Sequence, residues 1–318
     1  VHAGTAGQRP VNLILDTDIG PDYDDVGAMA LMHALADNGE AKILATVACN
    51  TDARVVPCIE VINGWYGRKD IPVGAPKGYS APRLTTSMLR TDWPGYLVSH
   101  FAHATDSTAC APSAVETYRR VLSRQPDGSV TICTLGFFSN LKALLASAPD
   151  RWSKLSGKDL VAKKVKLLVS MAGAFPNGYE FNVYWDADAA RTVADEWPTP
   201  IIFSGWEIGS EIFTGNAVRD LPGDISANPI KAAYTLALSE DDRPHGRESW
   251  DQTAALVAIR GAAPWFTLRH GHMTVDGKGN NKWTDDPQGQ HAYLVFAQPI
   301  KQVRDAIEAL MTQMPRKR

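Results

Sequence analysis

The sequence predicts a single α/β domain: a mainly parallel central sheet with helices on both faces. Three observations carry that expectation. Short β-branched runs alternate with helical runs, the pattern of βαβ crossovers. The 318 residues show no Pro/Gly/Ser linker, repeat or low-complexity tract that would divide them. The first apolar run ends in a dense group of carboxylates, and open α/β sheets bind ligands beyond the carboxyl ends of their strands.

The elements follow in order. Residues 11–15 (VNLIL) read as a buried strand. Residues 24–39 read as a helix, apolar nearly all round, with Gly39 as its stop. Residues 42–48 form the next strand and 52–67 the next helix. The strand 130–135 leads through Gly136 into a helix over 139–147, and 165–171 is a further strand. A helix is expected over 186–197, a strand over 200–204, and helices over 232–239, 251–259 and 300–311. Residues 78–112, rich in Ser, Thr, Pro and Trp, read as an irregular insert of the kind that borders active sites, with Trp93 its most notable residue. Residues 239–250 (SEDDRPHGRESW) form a second loop. His270 and His272 are expected to lie exposed on a hairpin around HMTVDGKGNNKW rather than to bind a metal. Trp185, Trp206 and Trp283 are read as packing residues.

Composition narrows the function. Apolar residues at 44% and charged residues at 21% describe a chain able to bury a core. Lys and Arg total 32 against 35 Asp and Glu, a net charge of −3, which argues against a nucleic acid held on a basic face. The terminal PRKR is too short to change that. No window approaches the ~18 apolar residues of a membrane span. Four scattered cysteines make no disulfide scaffold and no CxxC zinc pair; buried thiols are expected, with one disulfide allowed. Residues 1–10 read as a flexible lead to a domain over 11–318. Their start without Met fits either a cut chain or a mature end left by signal cleavage, so the expected compartment is cytoplasmic or exported.

The chemistry is concentrated in DTDIGPDYDD, where Asp16, Asp18, Asp22, Asp24 and Asp25 fall within ten residues. Carboxylates wedged between an apolar strand and an apolar helix repel one another, and a divalent cation is the usual remedy. With no His or Cys nearby, the ligands are hard oxygens, favouring Ca²⁺ or Mg²⁺ over zinc. An EF-hand is excluded, because Pro21 would stand where the loop needs Gly and Gly27 where it needs the bidentate Glu.

This element resembles the amino-terminal signature of the inosine-uridine preferring nucleoside hydrolases, calcium-dependent N-ribohydrolases. Cys49-Asn50 is similar to that family's Gly-Asn step, TLGFFSN (134–140) to its T-G-P-L-T-N element, MAGAFPNGYEFNVYWDADAA (171–190) to its glycine-rich E-F-N segment, and SWDQTAA (249–255) to its late H-D-P element. The resemblance implies a nucleoside hydrolase-like fold with a Rossmann-like core and one Ca²⁺ held by Asp18, Asp25, the Leu135 carbonyl and Asp251. It implies Asp18 as general base, Asp24 on a ribose hydroxyl, and Asn50, Asn177, Glu180 and Asn182 lining the sugar site. Asp16 would orient this shell. A small nucleoside substrate, a role in purine or pyrimidine salvage, and a homo-oligomer (dimer or tetramer) are implied likewise.

Two departures stand out. The loop carries two extra residues before Asp24-Asp25, so Asp22 has no counterpart and reads as a helix-start residue or a ligand. Trp250 replaces the His that serves as leaving-group acid in the inosine-uridine branch. Indole has no mobile proton at neutral pH, which leaves stacking on Trp250 or a proton from His245 on the neighbouring loop. Two other readings are carried beside this one. Asp16-Thr17-Asp18 also resembles the Mg²⁺-dependent haloacid-dehalogenase phosphatases, and a non-catalytic calcium or riboside binder could use the same fold.

Overall fold

The structure, a computed structural model, describes residues 9–87, 90–241 and 243–316. Most of the expected lead, residues 1–8, and residues 317–318 of the basic terminus lie outside the described residues. Twelve strands occur among the described residues: β1 (Val11–Thr17), β2 (Ala41–Ala48), β3 (Val73–Gly74), β4 (Val130–Thr134), β5 (Val165–Met171), β6 (Asn177–Tyr179), β7 (Ile201–Ser204), β8 (Phe213–Thr214), β9 (Arg247–Glu248), β10 (Phe266–Val275), β11 (Asn280–Asp285) and β12 (His291–Phe296). Ten of them form one sheet in the order β3-β2-β1-β4-β5-β7-β12-β10-β11-β6. Neighbours from β3 through β12 are parallel. β10, β11 and β6 extend the sheet antiparallel. A single α/β domain with helices on both faces is therefore what the chain forms.

Strand alternation separates two cores. Leu13 and Leu15 of β1 pack on one face with the helices Asp24–Asp37, Val55–Trp65 and Trp250–Arg260. Ile14 packs on the other with the helices Ala114–Ser123, Ser139–Ala146 and Ala187–Glu196. Fully burying one such Leu or Ile contributes about 1.5–3 kcal/mol. The helix Asp24–Asp37 is buried on every side because it lies between the sheet and the helices Trp250–Arg260 and Ile300–Met311, which explains its lack of a polar face. Gly27 permits the close approach: a Cβ there would lie 2.4 Å from both Gln252 Nε2 and Tyr234 Oη. That approach brings the start of the first helix against Asp251.

Several expectations are corrected. The structure adds the helix Ala114–Ser123, where Ser113 accepts the Glu116 N–H, a capping signal visible in S-x-x-E. It also adds β12 and the helix Gly157–Lys164 to the expected elements. The insert over 78–112 is not wholly irregular. It holds the helix Trp93–His100, capped by Asp92 and too short to show a period. The helix Pro229–Asp241 runs into the stretch expected as a loop. All four cysteines are free thiols, but Cys110 is exposed rather than buried. His270 and His272 are exposed on the β10–β11 hairpin, as expected.

Candidate active site and metal centre

β1 lies between β2 and β4, and the chain winds outward from β1 in both directions. The crevice beyond the carboxyl ends of β1 and β4 is thus a topological switch point. A cavity of about 340 Å³ opens there, lined by the loop after β1, by Leu135 after β4, by Met171 at the end of β5, and by Glu180, Trp206 and Trp250. A wider surface cleft of about 730 Å³, bordered by Tyr79, Arg83, Lys142 and Trp185, contains none of the clustered carboxylates.

Asp24, Asp25 and Asp251 place carboxylate oxygens within 4.8 Å of one another, all buried. Asp18, 8% exposed, touches Asp25 through its carboxyl group. Thr17 Oγ1 donates to Asp25 Oδ2, and the Asp251 N–H donates to Asp24 Oδ2 at 3.0 Å. Burial, reinforced by the neighbouring carboxylates, holds Asp18, Asp24 and Asp251 well above the ordinary carboxylate range. Asp25 is raised to about 6 by burial, against hydrogen bonds from Asp251 and Thr17 that lower it. The donor set is all oxygen, desolvated and of one charge, and it suits a hard divalent cation.

Asp18, Asp25, Leu135 and Asp251, the residues that the family resemblance implies as ligands, all line one cavity, with Asp24 in the tight group rather than apart from it. Asn182 Nδ2 donates to the Leu135 carbonyl at 3.0 Å and to the Met171 carbonyl at 2.9 Å, fixing the two strand ends relative to each other. Glu180 accepts the N–H groups of Gly173 and Asn182, both at 2.8 Å, and burial raises it to about 7. Gly136 is required beside Leu135, since a Cβ there would lie 2.8 Å from the Asp18 side chain.

Other assignments change. Asn50 is fully buried and does not line the cavity. Its Nδ2 donates to the carbonyls of Asp18, Gly20 and Leu84, and its Oδ1 accepts the Asp52 and Leu84 N–H groups, so it braces the β1 loop. Asn177 lies exposed on β6, where its Oδ1 accepts the Trp283 N–H, outside the cavity lining. His245 is exposed and likewise outside it. Trp250 does line the cavity, its Nε1 donating to the Trp206 carbonyl at 2.9 Å. Asp22 does not cap the helix, whose cap residue is Tyr23, nor does it join the tight carboxylate group. Instead it takes a bidentate pair from Arg247, Nε–Oδ1 at 3.1 Å and Nη2–Oδ2 at 2.6 Å. Trp93 is fully buried, and its Nε1 donates to the Pro21 carbonyl, so the insert supports the β1 loop from behind. Trp206 is half exposed at the cavity, and Trp185, though partly exposed, stacks on Phe181.

Arg247, Phe181, Trp206 and Leu84 line the cavity beside the residues expected there. Phe181 and Trp206 follow strand segments, a position that could have flagged them. The Asp22–Arg247 pair spans 225 residues of chain, and no local pattern reveals it.

Buried, oxygen-only carboxylates at the switch point of a parallel sheet, facing a small aromatic-walled cavity, make a site suited to a hard cation and a compact polar ligand. The family model described as inosine-uridine preferring nucleoside hydrolase matches residues 13–298, and the chain belongs to that family: it is a nucleoside hydrolase. An uncharacterized protein of Schizosaccharomyces pombe is 28% identical over 244 residues, covering 70% of this chain and 71% of that protein. Among solved structures, a plant nucleoside hydrolase superposes with a TM-score of 0.71 at 20% identity, covering 95% of this chain and 99% of the other. An inosine-uridine preferring nucleoside hydrolase from Bacillus anthracis gives 0.69 at 15% identity, with 95% and 99% covered. A purine-preferring ribonucleoside hydrolase from Gardnerella vaginalis gives 0.69 at 17%, with 94% and 98% covered. Family membership sets aside the phosphatase alternative.

Proposed function

We propose that this chain hydrolyses the N-glycosidic bond of ribonucleosides in a calcium-dependent reaction, releasing ribose and the free base for salvage. The observation that carries this reading is the buried group Asp24, Asp25 and Asp251 with Asp18 beside it, since four desolvated carboxyls at one cavity call for a cation. Asp18, Asp25, Asp251 and the Leu135 carbonyl would hold Ca²⁺, with Asp24 adjoining. Calcium, when bound, supplies a positive charge that makes water easier to deprotonate and gathers vicinal hydroxyls.

Asp18 takes the proton of the attacking water. Burial and like charges disfavour the ionised form it needs, and a cation restores that form. Asp24, Glu180 and Asn182 hold the ribose hydroxyls. Bond cleavage passes through an oxocarbenium-like state, and their oxygens stabilise the positive charge that develops on the ring. Trp250, with Trp206 and Phe181 on the same cavity, offers a stacking surface, so purine nucleosides should be preferred over pyrimidine ones. His245 lies outside the lining and is the less favoured source of a proton. A dimer or tetramer is expected, and light scattering measures it.

The test is kcat/KM for inosine, adenosine, guanosine, uridine and cytidine in the wild type, Trp250→Phe and His245→Ala. Purine preference, with His245→Ala nearly neutral, is expected. A loss of ~10²-fold or more in His245→Ala, beside a neutral Trp250→Phe, would make the loop histidine the acid. If another N-riboside is cleaved and none of these is, the substrate class is wrong.

A further inference from the structure

Cleaving an N-glycosidic bond sends its electron pair onto the base nitrogen, and that charge must be met by a proton or a cation. No histidine is among the described residues lining the cavity, and the Trp250 indole carries no mobile proton. One cationic side chain does line it among the described residues: Arg247, on β9, three residues before Trp250.

Its guanidinium carbon lies 5.3 Å from the centre of the Trp250 ring and 5.5 Å from that of Tyr23. The bidentate pair with Asp22 fixes it, and its Nη1 lies 3.3 Å from Glu248 Oε2. The side chain is only 15% exposed, so water screens its charge weakly. β9 is itself pinned by antiparallel pairing of Arg247 with Thr214 and Glu248 with Phe213. Asp22 belongs to the lengthened part of the β1 loop, so the added residues and the cation are one feature. A cation over the indole also draws density from the ring, which weakens any rise in base basicity caused by stacking on Trp250.

We propose that Arg247, positioned by Asp22 and held against Trp250, is the charge that stabilises the departing base, in place of a proton-donating imidazole. The inference rests on the nucleoside hydrolase reading above. In the step, the C1′–N bond breaks and its electron pair goes to the base nitrogen. The water oxygen bonds to C1′ and yields its proton to Asp18, which returns it to solvent. The base anion, stabilised by the guanidinium, takes a proton from solvent. Leaving groups whose anions are already stable gain little from Arg247, while poor ones depend on it.

The experiment compares inosine with 4-nitrophenyl β-D-ribofuranoside, whose phenolate needs no assistance, in the wild type, Arg247→Met, Arg247→Lys and Asp22→Asn. Calcium binding by calorimetry and the melting temperature verify that each variant is folded and metal-competent. Arg247→Met should lose ~10²-fold or more in kcat/KM on inosine but less than about 3-fold on the nitrophenyl riboside, a preformed electrostatic group being worth that much. Arg247→Lys should recover part of the loss, and Asp22→Asn should show the same substrate asymmetry, attenuated. Equal losses on both substrates would reduce Arg247 to a structural residue and overturn the proposal. If Arg247→Met fails to fold, the Arg247→Lys and Asp22→Asn ratios decide. A wild type that cleaves the nitrophenyl riboside but no nucleoside would instead defeat the substrate reading.

Discussion

Two buried carboxyl environments stand two residues apart at the end of β1, and they differ in what surrounds them. Asp16 follows Ile14 onto one face of the sheet. There its carboxyl accepts from Tyr118 Oη at 2.6 Å and from Asn140 Nδ2 at 3.0 Å, while Tyr79 Oη donates to Asn140 Oδ1 at 2.7 Å. Asp18 lies on the cavity side, against Asp25, with Asp24 and Asp251 close by. Burial raises both carboxyls, but Asp16 is met by neutral donors and reaches only about 6, whereas Asp18 is met by other acids and goes well beyond the ordinary range. Burial of an acid is therefore not the mark of the site. The mark is burial among like charges without donors enough to offset them.

The largest effects should fall on the cavity side. Asp18→Asn preserves shape and one oxygen ligand but removes the proton acceptor, so kcat should fall by ~10²–10⁴ with a smaller change in ribose affinity. Steady-state kinetics checks this, and a variant retaining most of its kcat would mean that another group activates water. Asp251→Ala removes one member of the tight group and should abolish calcium binding in calorimetry. Unchanged affinity would break the comparison at its cavity half.

On the other side, Tyr118→Phe withdraws a donor from a buried carboxylate and should cost about 1–3 kcal/mol of stability. Calcium affinity should be unaltered, and chemical denaturation beside calorimetry separates the two.

Titration sharpens the same contrast. A folded-state pKa raised above the unfolded value near 4 means that the folded protein holds the proton longer. Stability is then present at low pH and lost as pH rises toward about 6, where Asp16 and Asp25 titrate. The chelated protein should show both contributions, and saturating calcium should remove that of Asp25 and leave that of Asp16. His291 has the opposite sign. It is 4% exposed, its Nδ1 accepts the Met273 N–H at 3.0 Å, and burial lowers it to about 4. Stability tied to it is full above the unfolded pKa of ~6.5 and falls as pH drops toward 4, by on the order of 3 kcal/mol, and His291→Gln should flatten that slope. The smallest effect belongs to the exposed His270: its replacement by Ala should move stability by less than about 0.5 kcal/mol.

Much of this was legible in the chain. The parallel core could be read because buried strands such as VKLLVSM are largely apolar, β-branched-containing runs, and β5 occupies the residues expected. Asp18, Asp24 and Asp25 could be read because five acids in ten residues are a local signal. What was hidden is long-range or locally weak. Asn50 looked like a sugar ligand but spends its amide on backbone of its own and neighbouring loops, a fact set by where the 82–84 segment crosses it. Asn177 has the expected residue type, yet pairing of β6 with β11 carries it to the sheet edge. Asp22 showed its charge but not its partner Arg247, which reaches it through the β8–β9 pairing. The helix Ala114–Ser123, which carries Tyr118, is signalled by its S-x-x-E cap, a local cue outside the alternation of apolar runs.

The most direct test of the account follows ribose released from inosine by one preparation in three conditions: as purified, after exhaustive chelation, and after calcium is restored. Activity should fall by at least ~10²-fold on chelation and return with calcium, because the carboxylates of Asp18, Asp24, Asp25 and Asp251 repel one another without the cation and leave no ionised base beside the sugar. Undiminished ribose release from protein verified to be free of metal would contradict it.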